Sequence, residues 1–506
     1  MFIATENVAT IAIVLFALGI LGWGYYRARA FGKLGILAWL QSAILMVPWL
    51  VFFGLFAAGI YLNIVGVLFL LVISTGIYIF LGKKLRAASQ DGELRSRLEA
   101  MLKSSPDAGD PDKVASPVTT EAGVNTTLPP LKIPEIVPIP AETLKSIQGI
   151  FGVDTFFATE TIPYQDGVIF NGNLRGDAEK VHSRLSTSLQ ERLGDRYRLF
   201  LLPNQDDKPV VIVLPSTNDP KPATTNQKIL AAILFVITII SCLETGALLQ
   251  SIDLFTTPQS FLQTLPIGSG IIAILLAHEI GHQVMAKRHQ VRWSWPFFIP
   301  TLQIGSFGAL NRFESVLPNR TVLFDVALAG PAAGGLLSLA MLIIGLLLSH
   351  PGSMFQVPSE FFKGSILVGT LARVVLGNSI HNPIVDVNPL TIIGWLGLVI
   401  TAINLLPAGS LDGGRIVQAI YGRKIASRTM IATLAVLAIA SLANPLALYW
   451  AIVILFLQRN LERPSLNELT EPDDARAALA LLALFLMIAT LLPLTPGLAG
   501  RLGIGT

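Results

Sequence analysis

The chain has 506 residues, 52% of them hydrophobic and 14% charged, with a mean hydropathy of +0.63. Soluble domains carry about 25% charged residues, so this composition excludes an ordinary soluble protein and implies a polytopic α-helical membrane protein. The net charge of +3 gives no reason to expect a nucleic-acid partner, and the single cysteine, Cys242, excludes an intramolecular disulfide and a multi-cysteine zinc site.

Apolar runs long enough to cross about 30 Å of hydrocarbon lie near residues 7–26, 35–59, 62–82, 229–250, 265–286, 322–348, 389–406 and 475–495. The N-terminal stretch MFIATENVATIAIVLF lacks a basic leader and a small-residue cleavage site, so it is expected to be a retained first span. The run 429–458 is interrupted at Asn444-Pro445 and fits either one kinked span or two short ones. A weaker stretch, 364–377, carries Arg373 and is expected at the interface. The expectation is about eight to ten spans.

Residues 87–140 separate the third and fourth runs and hold eight prolines between Pro106 and Pro140. Such a stretch cannot bury enough apolar surface to fold and is expected to be a disordered linker. Beyond it, DTFFATET, GVIFNG, YRLFLL and PVVIVLP alternate as strands, and DAEKVHSRLSTSLQERLG has helical periodicity. The expected divisions are N-terminal spans (1–86), linker (87–140), a small soluble α+β domain (141–220), a catalytic membrane core (221–460), and a C-terminal span and tail (461–506).

Basic residues set the orientation. Arg27, Arg29 and Lys33, then Lys83, Lys84 and Arg86, then Lys287, Arg288 and Arg292, then Arg415, Arg423, Lys424 and Arg428 all fall on one side when the chain is threaded through the bilayer. The soluble domain falls on that side too.

The segment IGSGIIAILLAHEIGHQVMAK reads as a span, yet it holds His278, Glu279 and His282. A charged side chain at mid-membrane costs about 2.5–3.5 kcal/mol on insertion scales, so these residues are expected to be functional. In HExxH the histidines stand one turn apart on a single helix face, where both can ligate one zinc, and the glutamate beside them can take a proton from a water that the metal acidifies. A catalytic zinc needs a third protein ligand. His350 and His381 fall on the far side, His182 in the soluble domain and His289 past the helix end. Asp412, after a helix broken by Pro407 and Gly409, arrives at the same depth and is the preferred ligand over a mere turn-capping role.

HEIGH together with NLLPAGSLDGGR (404–415) resembles the site-2 protease family of intramembrane zinc metalloproteases. That resemblance implies one zinc held by His278, His282 and Asp412, with Glu279 as general base. It also implies that Asn404 helps hold the substrate or the oxyanion, and that LAGPAAGG (328–335) is the glycine-rich element between the motifs. NGNLRG (171–176) and LQIGSFGALNRFES are similar to the ethylene-dependent gravitropism-deficient and yellow-green branch of cyanobacteria and chloroplasts. This places the protein in a bacterial inner or thylakoid membrane, or a chloroplast membrane. The expected partners are the lipid bilayer and a single-span membrane protein substrate. No PDZ insertion follows the HEIGH helix.

Residues 293–316 are too irregular to span and too apolar for open solvent, so an embedded loop or hairpin offering a strand edge to an unwound substrate is expected. Two rivals stand beside the protease. A non-proteolytic zinc-binding scaffold would have no need of Glu279. A metal transporter would need ligands spread through the bilayer depth.

Overall fold

The computed structural model describes residues 139–504 apart from 165, 205, 255, 303 and 443, and parts of the first 84 residues, including α1 (Gly32–Ile44). The spans expected near 7–26 and 62–82 lie largely outside the described residues, as do part of the span expected near 35–59 and all but the end of the 87–140 linker. The chain divides into two units, residues 1–131 with 435–453, and residues 132–434 with 454–506.

In the second unit, α2 (Ala141–Gln148) leads into β1 (Phe156–Tyr164), β2 (Gly167–Leu174), α3 (Ala178–Leu193), β3 (Tyr197–Pro203) and β4 (Pro209–Pro215). The strands form an antiparallel sheet in the order β1-β2-β4-β3. Alternation puts Val168, Phe170, Leu199, Leu201, Val211 and Val213 on one face. Against it α3 lays Val181, Leu185 and Leu189, each four residues on from the last. Asp177 caps α3 by accepting from Lys180 N at 3.1 Å. The GNLRG motif ends β2. A Cβ at Gly172 would stand 2.3 Å from Phe157 O, so the residue must be small, and Gly176 takes a positive φ of 94°. Arg175 is exposed.

The membrane core follows. α4 (Thr225–Leu249) starts at a reciprocal capping box between Thr224 and Gln227. α5 (Phe261–Arg288) carries HEIGH. β5 (Phe297–Thr301) and β6 (Gly305–Leu310) form a hairpin within the segment expected to hold one, and β5 packs on α4. Then come α6 (Arg320–Leu347), β7 (Phe355–Pro358), α7 (Ile366–Leu376), β8 (Ile384–Val387), α8 (Pro389–Asn404) and α9 (Asp412–Ala440). The stretch 429–458 breaks between α9 and α10 (Pro445–Val453), and α11 (Asp474–Leu491) and α12 (Pro496–Leu502) complete the chain.

Four helices among the described residues are long and apolar enough to cross a membrane: α4, α5 with its preceding turn, α6 and α11. α8 has 16 residues, about 24 Å at 1.5 Å per residue. Small residues let α5, α6 and α8 approach closely. A Cβ on Gly281 would lie 2.4 Å from Ala329 O, and one on Gly394 would lie 2.3 Å from Leu342 N. The β7–β8 pair was not anticipated from the sequence. It closes over Phe362, Val368, Ile380 and the far ends of α6 and α8 in one apolar cluster.

After a π-helical turn at Ile454–Gln458, the chain between α10 and α11 is stitched to its neighbours by backbone hydrogen bonds. Leu466 N donates to Leu317 O at 2.8 Å, Glu468 N to Leu201 O at 3.0 Å, and Leu201 N to Leu466 O at 2.7 Å. Buried Arg320 donates to Ala419 O (2.7 Å), Ile420 O (2.5 Å) and Glu468 O (3.3 Å). α11 is anchored by Arg476, whose guanidinium grips Asp325 of α6 at 2.7 and 2.9 Å, and His289 Nε2 reaches the same carboxylate at 3.0 Å.

Candidate metal centre

His278 and His282 point from one face of α5 toward Asp412 at the first residue of α9, and all three are buried. The chain leaves α8 at Asn404 and turns at Gly409, where φ is +52°. It re-enters a helix at Asp412, so the break delivers the carboxylate to the histidines. His278 Nε2 lies 3.1 Å from Asp412 Oδ2 and 3.1 Å from His282 Nε2, and His282 Nε2 lies 3.4 Å from Asp412 Oδ2.

These distances test the fit of a metal. Three ligands held tetrahedrally at 2.0–2.1 Å from zinc stand about 3.4 Å apart, close to the triangle seen. His282 Nδ1 lies 2.8 Å from Val326 O. A carbonyl only accepts, so Nδ1 carries the proton and the Nε2 lone pair faces the other two donors. Lone pairs converging at this distance repel unless a cation sits among them. The residues fit zinc.

The glycine-rich element of α6 packs directly on the imidazoles. A Cβ on Gly330 would stand 2.2 Å from His282 Nε2, and one on Gly334 would stand 3.0 Å from His278 Cβ. Pro331, between them, has no N–H to give Ala327 O, next to the carbonyl that His282 uses.

Glu279 is buried and its Oε2 accepts from Asn311 Nδ2 at 2.8 Å. Asn404 donates to Ile400 O (2.9 Å) in its own helix and to Phe307 O (3.2 Å) in β6, so it ties the hairpin to α8. Gly308 makes room for it, since a Cβ there would meet Asn404 Nδ2 at 2.6 Å.

Sequence reading missed Arg415, Asn311, Trp293 and Glu462. Arg415 is 2% exposed. It donates to Glu462 at 3.0 Å and to Asn311 O at 2.5 Å, and it stands 3.6 Å from Asp412 Oδ1. Its guanidinium lies over the rings of Trp293 (5.0 Å) and Phe313 (5.6 Å), and Trp293 in turn lies 5.0 Å from the His282 ring. Asn311 Oδ1 and Trp293 Nε1 are buried with no partner among the described residues. The signal available for Arg415 was its place in LDGGR, three residues past Asp412. The other three lie on separate segments that only the fold joins. His182, His289, His350 and His381 all make other contacts.

Residues 268–443 match the description "Peptidase family M50", and residues 145–221 match "EGY3 middle domain". The chain is 38% identical over 403 residues to "Probable zinc metalloprotease EGY1, chloroplastic" of Arabidopsis thaliana, spanning 72% of this chain and 74% of that one. It is 37% identical over 394 residues to the protein of the same name in Oryza sativa subsp. japonica, covering 70% and 68%. It is 38% identical over 373 residues to "Probable zinc metalloprotease EGY2, chloroplastic" of Arabidopsis thaliana, covering 72% and 67%. No solved structure matches.

A buried His-His-Asp triangle with a glutamate one residue along the same helix, set among apolar helices, defines a membrane zinc metalloprotease. The chain belongs to peptidase family M50, the site-2 proteases, with homologues among the EGY zinc metalloproteases.

Proposed function

We propose that this zinc metalloprotease cuts single-span membrane proteins within or near the bilayer, with His278, His282 and Asp412 holding zinc and Glu279 as general base. The observation that carries the reading is the triangle of donor atoms with Glu279 at its side, buried at the ends of apolar helices. Bound there, zinc supplies the Lewis acidity that lets water lose a proton near neutral pH. Glu279 takes that proton and later gives it to the leaving amine, while Asn311 fixes which carboxylate oxygen faces the reaction. Asn404 acts on the substrate by setting β6. A cleft of about 770 Å³ runs between α4, β5, Asn311, Ser410 and Gln458, and it is the place this reading gives to an unwound strand beside the hairpin.

Eight to ten spans, with residues 1–86 adding N-terminal spans and 87–140 as the tether between them and the soluble domain, complete the proposed arrangement. The basic clusters place the site and the 141–220 domain on the cytoplasmic or stromal side of a cyanobacterial or plastid membrane. The domain enters from that tether but leaves within a few residues into α4, which supports a role in selecting substrates.

The test is Glu279→Gln in the full-length protein in detergent, with β-casein and a synthetic apolar span as probes. Zinc content should stay at the wild-type level while cleavage falls at least about 10²–10⁴-fold. Cleavage near the wild-type rate would remove Glu279 from the role. For topology, Lys287→Cys and His350→Cys should react with an impermeant thiol reagent from opposite faces, the native Cys242 being buried. Labelling of both from one face would overturn the orientation.

A further inference from the structure

Asn311 stands where the cleft meets the metal centre. It lines the cleft and donates through Nδ2 to Glu279 at 2.8 Å. An ionised carboxylate has only lone pairs to offer, so the amide must present its nitrogen to Glu279 and its oxygen elsewhere. That oxygen, Oδ1, is buried and has no partner among the described residues. The backbone of the residue is also held from behind, because the Asn311 carbonyl accepts from Arg415, itself clamped between Glu462 and the rings of Trp293 and Phe313. A buried acceptor without a donor is costly and rare in native structures. Here it belongs to a residue that touches the base and lines the cleft that the hairpin borders. A polypeptide lying extended along β5 and β6 carries a backbone N–H at every residue, and each needs an acceptor once water is excluded.

We propose that Asn311 has two tasks: Nδ2 orients Glu279, and Oδ1 accepts a hydrogen bond from a backbone N–H of the substrate next to the bond being cut. The ligand class is therefore an extended peptide read through its main chain rather than its side chains. The proposal rests on the proteolytic reading above, but its second half can be measured independently of Glu279.

The probe is a fluorogenic 20-residue apolar peptide with a central small-residue break, together with analogues in which each amide flanking the cut is singly replaced by an ester. An ester keeps the shape and removes one N–H. In the wild-type protein one analogue should show a KM raised about tenfold, the loss expected for one buried hydrogen bond. In Asn311→Leu the amide peptide should already show that higher KM, and the ester should cost nothing more. Its kcat should also fall about 100-fold because Glu279 is no longer held. Asn311→Asp keeps an acceptor but cannot donate, so kcat should fall while the ester penalty persists. Zinc content should match the wild type in both variants. An ester penalty unchanged in Asn311→Leu, or absent from the wild type at every position, overturns the substrate contact. Asn311→Asp then serves alone if the leucine variant does not fold: an unchanged kcat overturns the orienting role, and a lost ester penalty overturns the acceptor. Failure of the base reading would show separately, as continued cleavage by Glu279→Gln.

Discussion

The two ends of the α5–α6–α8 bundle are built by opposite means. One end gathers His278, Glu279, Asp412, Arg415 and Asn404, all buried, with glycines where the imidazoles approach and with Asn311 Oδ1 and Trp293 Nε1 unpaired among the described residues. The other end is mostly apolar, with Thr391 Oγ1 as its unpaired buried polar atom among the described residues. Leu342, Leu346, Phe362, Val385, Val387 and Ile392 fill it, and β7–β8, α7 and α12 close over it. Buried unpaired polar groups cost stability and apolar packing supplies it. The far end therefore lets the catalytic end keep its orphan atoms without loosening the bundle.

That contrast can be broken at either end. The largest effect belongs to the donors. His278→Ala, His282→Ala and Asp412→Ala should each strip zinc and abolish cleavage, while helix content by circular dichroism stays near the wild-type level. Full zinc occupancy in the Asp412 variant would move it out of the ligand set. Phe362→Ala should do the reverse, lowering stability by about 3–5 kcal/mol while activity per zinc-loaded molecule holds. Denaturant unfolding alongside a kinetic assay separates the two, and a comparable drop in kcat would show that the ends are coupled.

A smaller effect is expected at the helix contact. Gly330→Ala pushes a methyl into the His282 ring and should weaken zinc binding about 10–100-fold, as for other groups that orient a ligand. Competition with a chelator reads this directly, and an unchanged affinity would mean that α6 can step back. The smallest effect lies outside the bundle. Burial lowers the pKa of His182 below its usual 6.5, opposed by its bond to Leu199 O. The unfolded chain then binds the proton more readily, so the sheet domain is most stable above about pH 6.5 and loses stability as the pH falls below it. The protection of β3 amides in the full chain, taken relative to the intrinsic exchange rate at each pH, should fall from pH 7 to pH 5, and less so in His182→Gln. An equal loss of protection in both proteins would assign the pH dependence to other groups.

Legibility followed the range of the interaction. HEIGH stood out because polar groups in an apolar span need a reason. The sheet was readable from strict alternation, and β5–β6 from a segment unsuited both to a span and to a solvated loop. Asp412 could be placed by depth alone. The β7–β8 pair was missed because its strands are four residues each, separated by 25 residues, with no turn residues to announce a hairpin. Arg415, Asn311, Trp293 and Glu462 were missed because each is an ordinary residue in its own segment. Only their convergence, over 47 residues for Arg415 with Glu462 and 104 for Arg415 with Asn311, gives them a role.

The stitched segment before α11 has a consequence in time. Arg415 waits for Glu462, Arg320 for Glu468, and the sheet for the Leu466 carbonyl. Synthesis runs from the N-terminus, so the histidines, the base and the aspartate leave the ribosome well before the residues that brace them. A nascent chain halted before residue 462 would have the reactive groups without their frame. Cleavage is therefore expected only from chains that extend past residue 468, and a truncation before residue 462 should be inactive.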